Sequence, residues 1–420
     1  MSKKFSIPRG TADILPSDIS HWQTMEQSAR QVLEIYGYKE IRTPIFEETA
    51  LFARSLGQST DVVQKQILTL AGDKENSLSL RPEGTASIAR TYIENSIDKK
   101  ESLTKLYYIG PMFRGERQQK GRLRQFHQIG VEAIGTSQPL LDAEVIALAV
   151  HLLSEFEING YQLRINSLGT SEDKKNFSVF LREKLNQDLA ALCKDCQGRF
   201  ERNVFRVLDC KNEGCKKIVH NLNLKDSHLS SESRQYFNKV KATLNLLNVA
   251  YQEEPLLVRG LDYYTHTVFE ISHTGLGSQD ALGAGGRYDN LIEELGGPKA
   301  GAVGFALGME RMLLTKGGTE IPLDSVVDVF LASRGESCIE QAVILLNQLR
   351  HLGISSDMSY EPDASFKSQT RLADKLKAKY VLFLGEDELK EKAITLKDMQ
   401  SGQQEKVPME KIGEVIQNRI

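Results

Sequence analysis

Between residues 105 and 134 the sequence reads KLYYIGPMF, then RGERQQKGRL, then RQFHQIGVEAIG. The connection carries Arg114, Arg117, Lys120, Arg122 and Arg124 against a lone Glu116. A guanidinium fork matches phosphate oxygens and keeps its charge at any physiological pH, so this density suits a polyphosphate or a nucleic-acid backbone. The flanking apolar runs predict two strands joined by a polar loop longer than a tight hairpin needs. Alternation then puts Gly110, Met112 and Arg114 on one face of the first strand, and Gln128, Gly130 and Glu132 on one face of the second. Ile129, Val131 and Ala133 are left for the core. Glycines beside charged or amide groups suit a floor that a ligand approaches closely, and the bland alternative is a solvated face with bulges.

Three further clusters have chemical potential. In LRPEGT, residues 80–85, Glu83 and Thr85 stand just before a helical pattern, where an acid and a hydroxyl also serve as plain helix caps. LVRGLDYY places Arg259, Gly260, Asp262, Tyr263 and Tyr264 in a predicted strand, where adjacent tyrosines point to opposite faces and at most one lines a given pocket. GAVGFALGMER predicts a helix beginning near Gly301, with Gly304, Gly308 and Arg311 on one face. Helix glycine costs about 1 kcal/mol relative to alanine, so two beside an arginine imply close approach by a ligand or by another helix. GAGGRYD, residues 283–289, lacks the dinucleotide-binding spacing, and no GxxxxGK[ST] loop exists.

These residues need elements to hold them. Trp22, Met25, Ala29, Val32, Leu33 and Tyr36 fall at helical spacing, with Gly37 as the stop. The following YKEIRTPIFEE is extended, and Pro44 favours a strand edge or an interface. From about Thr170 to Tyr251 a Lys/Glu-rich helical texture carries Cys193, Cys196, Cys210 and Cys215 and reads as an insertion. Strand patterning resumes at LLVRGLDYYTHTVFEIS. Ile321–Ser325 resembles a linker, after which VVDVFLAS, a helix, ISSDMSY, a second helix, YVLFLG and a last strand and helix predict a small α/β domain.

At 420 residues the chain predicts two or three domains, and its net charge of −3 argues against a protein that coats nucleic acid non-specifically. Neither a signal-peptide core nor a membrane span is legible, so a cytoplasmic location away from membranes is expected. Five cysteines in so long a chain make no disulfide framework. The CxxC and CxxxxC pairs would bind a structural zinc ion only by meeting in space. The second spacing is loose, and the expectation is reduced thiols.

Together these segments resemble the bacterial-type histidyl-tRNA synthetases, a family of class II aminoacyl-tRNA synthetases. IRTPIFEETALF is similar to the first class motif, YYIGPMFRGERQQKGRLRQFHQIGVEAIG to the second and GAVGFALGMER to the third, while LVRGLDYY and GAGGRYD resemble the two histidine signatures. The resemblance implies an α+β catalytic domain with a mostly antiparallel sheet flanked by helices (residues 1–169 and 252–322). It also implies a helical insertion (170–251) and a C-terminal α/β anticodon-binding domain (326–420). It implies ligation of L-histidine to tRNA(His) through a histidyl-adenylate, in a homodimer that uses ATP with Mg2+ as substrate and no organic cofactor.

By the same resemblance Arg114 and Arg311 bind ATP, and Arg259 acts catalytically at the α-phosphate where other class II enzymes place a metal. Glu83, Thr85 and Gln128 meet the α-ammonium group. Glu132 and Tyr264 hold the imidazole, with Tyr263 and Tyr288 also in the histidine site. Arg117, Lys120, Arg122 and Arg124 would carry the tRNA acceptor end. Lys367, Arg371 and Lys375 would form a cationic helix face for tRNA phosphates. The rival from another class is the non-catalytic regulatory subunit of ATP phosphoribosyltransferase. Such paralogues typically lack the anticodon domain and parts of the histidine signatures, whereas this chain retains both.

Overall fold

A computed structural model describes residues 5–57, 60, 62–71, 77–116, 121–222, 224, 228–277, 280–316, 327–361 and 363–420. The chain divides into two compact units, Met1–Thr319 and Glu320–Ile420. In the first, helix Ile19–Ile35 buries Met25, Ala29, Val32 and Leu33, and Gly37 ends it with φ of 78°. The strands of this unit are β1 (Lys39–Glu40), β2 (Phe46–Glu48), β3 (Leu68–Thr69), β4 (Leu78–Leu80), β5 (Thr104–Phe113), β6 (Gln125–Ile134), β7 (Tyr161–Ser167), β8 (Gln252–Glu253), β9 (Thr265–His273), β10 (Ala281–Arg287) and β11 (Ala302–Gly308). Eight form one sheet in the order β1-β5-β6-β11-β10-β9-β7-β8, while β2, β4 and β3 form a small antiparallel sheet. The large sheet is antiparallel except where β1 meets β5 and β7 meets β8.

The expected hairpin is present, registered from Thr104 opposite Ile134 to Phe113 opposite Gln125. One face of the sheet buries Ile129, Val131 and Ala133 with Val303, Phe305, Phe269 and Ile271, beneath helix Pro139–Glu155. Arg287 also lies on that side, fully buried with Asp142 of this helix. Its Nε and Nη2 donate to Asp142 Oδ1 at 2.8 and 2.5 Å, and its Nη1 donates to Asp289 Oδ1 at 2.7 Å and the Thr136 carbonyl at 2.9 Å. Breaking a buried ion pair strands its partner's charge. Arg287→Ala is expected to cost about 3–5 kcal/mol, measured by urea unfolding, and replacing Asp142 by leucine as well should recover part of that loss.

Two local expectations are corrected. GAVGFALG is strand β11, not a helix: Gly304 pairs with Glu132 on one side and Gly286 on the other. Positions i and i+4 share a face in either structure, so the glycine spacing alone does not separate them. The helix begins only at Met309 and runs to Lys316.

LVRGLDYY is irregular chain up to Tyr264, with β9 starting at Thr265. Side-chain donors satisfy its carbonyls where a ladder would have done so. Asn166 Nδ2 donates to the Leu257 carbonyl at 3.0 Å, and Lys174 Nζ to those of Asp262 and Tyr264 at 2.8 Å each. Within the segment expected as a helical insertion, helix Ser231–Leu246 buries Phe237, Val240 and Leu244 in the main core.

The second unit has strands β12 (Val329–Ser333), β13 (Ser356–Met358), β14 (Tyr380–Leu384), β15 (Ala393–Asp398) and β16 (Gln404–Pro408), ordered β13-β12-β14-β15-β16. The first three are parallel, as alternation with helices Glu336–His351 and Phe366–Lys375 requires. The antiparallel pair β15 and β16 adds one strand more than the sequence suggested. No helix among the described residues is long and apolar enough to cross a membrane.

Candidate active site

The sheet face opposite the main core is built from small residues at matched register positions. Gly130 lies opposite Ala306, Glu132 opposite Gly304, Ala306 opposite Ala284 and Ala284 opposite Glu270. A trough results, the floor of a cavity of about 1360 Å³. Gly130 leaves room for protein rather than directly for a ligand: a Cβ there would lie 2.2 Å from the Tyr108 ring, as would one at Gly84. The buried Tyr108 ring is thus clamped between two glycines, and Gly110 similarly accommodates Arg81. Gly304 admits the Glu132 carboxylate, whose Oε2 would lie 2.0 Å from an added Cβ.

Glu132 is buried beneath this trough, behind the lining residues Thr85 and Tyr288. Thr85 Oγ1 donates to its Oε1 at 2.6 Å, and the Tyr288 hydroxyl to its Oε2. Burial pushes its carboxyl up to about 8, against the pull of these two hydrogen bonds, and the nearby Glu83 adds to the rise. Glu83 caps helix Thr85–Glu94, accepting from the N–H of Thr85 at 2.9 Å and Ala86 at 2.8 Å. It is also buried against the cavity, and burial raises its carboxyl despite those bonds and the Arg114 charge.

Tyr263 and Tyr264 both line this cavity, contrary to the strand argument, because the chain before β9 is irregular. Tyr263 has its ring centroid 4.7 Å from that of Tyr264 and 5.6 Å from that of Tyr288. Burial pushes the Tyr264 phenol up to about 12, so all these hydroxyls are available as donors at neutral pH.

Arginines gather at the other side. Arg114 donates from Nε to the Pro82 carbonyl at 2.8 Å and lies over the Phe126 ring at 5.2 Å. Arg311 donates from Nε to the Gly121 carbonyl at 3.1 Å and from Nη1 to that of Ala281. Its chain neighbour Glu310 ties helix Met309–Lys316 to β6 by accepting the His127 N–H at 2.9 Å. Burial lowers the Arg311 pKa, and the charges of Arg122 and Arg114 lower it further. Like charges pressed together in a cavity favour a polyanion.

Arg259 donates to the Glu270 carboxylate. Arg259 Nε and Gln128 Oε1, on two side chains that line the cavity, are buried with no hydrogen-bond partner among the described residues, a donor and an acceptor.

Arg122 also lines the cavity, paired with the buried Glu116. Arg124 is exposed and its backbone N–H donates to the Gly10 carbonyl at 2.7 Å. Arg117 and Lys120 lie outside the described residues. In the second unit Lys367, Arg371 and Lys375 are exposed along helix Phe366–Lys375, which buries Gln369 and Ala373. Sequence reasoning passed over Tyr108, Lys174 and Glu270. Only Glu270 leaves a signal, as a lone acid in the apolar run TVFEIS.

Residues 10–312 match the family model for histidyl-tRNA synthetase and residues 326–419 that for an anticodon binding domain. A Bacillus subtilis (strain 168) protein named histidine–tRNA ligase is 45% identical over 411 residues, covering 97% of each chain. The crystal structure of apo S. aureus histidyl-tRNA synthetase superposes with a TM-score of 0.79 at 38% identity, covering 98% of this chain and all of that one. A Bacillus halodurans protein described as an ATP phosphoribosyltransferase regulatory subunit/histidyl-tRNA synthetase shares the fold, with a TM-score of 0.67 at 19% identity over 92% of this chain and 99% of that one. Matched along nearly its whole length by such relatives, the chain belongs to the histidyl-tRNA synthetase family.

Proposed function

We propose that this protein joins L-histidine to tRNA(His) at the expense of ATP, by way of a histidyl-adenylate. The observation that carries the reading is one cavity lined both by the hydroxyls of Thr85, Tyr263, Tyr264 and Tyr288, two of which bond the buried Glu132 carboxylate behind them, and by Arg114, Arg259 and Arg311. Glu132 and Tyr264 hold the two imidazole nitrogens, with Tyr263 and Tyr288 closing the pocket. Glu83, Thr85 and the unpaired Gln128 Oε1 take the α-ammonium group. A different amino acid would leave these buried polar groups unsatisfied, which penalises it.

The histidine carboxylate attacks the α-phosphorus of ATP, which enters with Mg2+ as substrate, and the bond to the departing diphosphate breaks. Arg259 meets the charge growing on the α-phosphate, while Arg114 and Arg311 hold the nucleotide's phosphates. The terminal ribose hydroxyl of tRNA then attacks the activated carbonyl and AMP leaves. Arg122 and Arg124, with Arg117 and Lys120, receive the acceptor end, and Lys367, Arg371 and Lys375 contact tRNA phosphates through the C-terminal unit. The protein works in the cytoplasm as a homodimer, to which the exposed Ile45 and Phe46 beside Pro44 offer apolar surface.

Charging of a tRNA(His) transcript with radiolabelled histidine tests the reading. Histidine should be esterified to the transcript in an ATP-dependent manner. A chain inert in charging yet able to activate a short ATP phosphoribosyltransferase would instead be a regulatory subunit.

A further inference from the structure

The four cysteines of the helical segment come together. Cys193 precedes helix Lys194–Arg202 and Cys196 lies in its first turn, while Cys210 precedes helix Glu213–Asn221 and Cys215 lies in the first turn of that one. The loose second spacing is taken up by Asn212, which caps its helix by accepting from the N–H groups of Gly214 at 2.9 Å and Cys215 at 3.3 Å. Each pair therefore presents its sulfurs at a helix start, and the two starts face each other.

All four Sγ atoms lie within 4.8 Å of one another, with those of Cys193 and Cys210 3.9 Å apart. A tetrahedral four-sulfur site with metal–sulfur bonds of about 2.3 Å needs sulfurs about 3.8 Å apart. So compact a group matches a single ion rather than two disulfides. Two backbone N–H groups already point at sulfur, from Cys193 to Cys215 Sγ at 3.2 Å and from Asn212 to Cys210 Sγ at 3.4 Å. Such donors stabilise thiolates. Cys196, Cys210 and Cys215 are buried, and among the described residues no carboxylate or imidazole joins the group. An all-thiolate, tetrahedral donor set selects zinc over magnesium, calcium or manganese.

We propose that Cys193, Cys196, Cys210 and Cys215 bind one Zn2+ ion as thiolates, releasing their protons to solvent. With four protein ligands and no open position, the ion acts structurally. The chain between Cys196 and Cys210 carries Asn203, whose Nδ2 donates to Asp262 Oδ1 at 2.7 Å, and Arg206, whose Nη1 packs against Gly260. Zinc thus fastens a lobe that buttresses the segment bearing Arg259, Tyr263 and Tyr264.

Full-length protein, purified without a metal-binding tag and dialysed free of loose metal, should contain about one zinc ion per chain by elemental analysis. Cys196→Ser and Cys215→Ser should each lose it. Cobalt added to zinc-stripped wild-type protein should give the visible bands of a tetrahedral, sulfur-ligated ion, a readout that does not depend on how the variants fold or on catalysis. Wild-type protein with four freely titrating thiols, no zinc and no cobalt spectrum would overturn the proposal, as would zinc retained in both variants.

Discussion

Arg259→His lowers histidine-dependent ATP–pyrophosphate exchange by about 10²- to 10³-fold, the loss expected when a donor aimed at developing charge is removed from a preorganised site. The imidazole is shorter, and with an ordinary pKa of about 6.5 it is mostly neutral at the pH of the assay. Arg259→Lys should fall between the two, since it restores the charge but not the planar fork. The fold should survive. Glu270, which loses its partner, keeps Arg164 at 3.8 Å, so thermal unfolding is expected to move little. Exchange that is unchanged in Arg259→His would remove this residue from the chemical step.

Glu132→Gln should separate activity from stability. Histidine activation is expected to drop by about 10²-fold or more, because the carboxyl can give up its proton to pair with the bound ring in a charge-assisted hydrogen bond and an amide cannot. Stability should move the other way. In the folded chain burial holds the Glu132 carboxyl at about 8, far above its unfolded value of about 4.3. The folded state therefore keeps a proton that the unfolded chain has released. This group's contribution is full below about pH 4.3 and is lost progressively as the pH rises to about 8. Wild type should thus lose stability between pH 6 and pH 9 to a degree that Glu132→Gln does not, by up to a few kcal/mol in urea unfolding. Parallel curves for the two proteins would show that Glu132 is not ionised at a cost.

The parts of the fold that were legible in the sequence are those with local periodicity. The hairpin of β5 and β6 followed from strict alternation, and its core face of Ile129, Val131 and Ala133 is the one observed. Helix Ile19–Ile35 followed from its apolar stripe and from Gly37. What was misread depended on distant partners. Whether GAVGFALG is helix or strand is decided by β6 and β10 on its two sides, not by its own glycines.

The path of LVRGLDYY is decided by Asn166 and Lys174, whose donors replace a strand partner. That path puts both tyrosines in one cavity. Glu83 and Thr85 looked like helix caps, and Glu83 is one; the feature that sequence could not supply is the 2.6 Å bond from Thr85 to Glu132 across 47 residues. Cys210 and Cys215 looked too far apart for a shared site because the cap at Asn212 is visible only in three dimensions.

The claim that the trough around Glu132 reads histidine, and that the arginines beside it activate the amino acid with ATP, is tested most directly by pyrophosphate exchange. Purified protein would be assayed with each of the twenty amino acids in turn, without tRNA. The account predicts exchange that depends on histidine and on no other amino acid. Exchange supported by a different amino acid, or none with histidine, would contradict it.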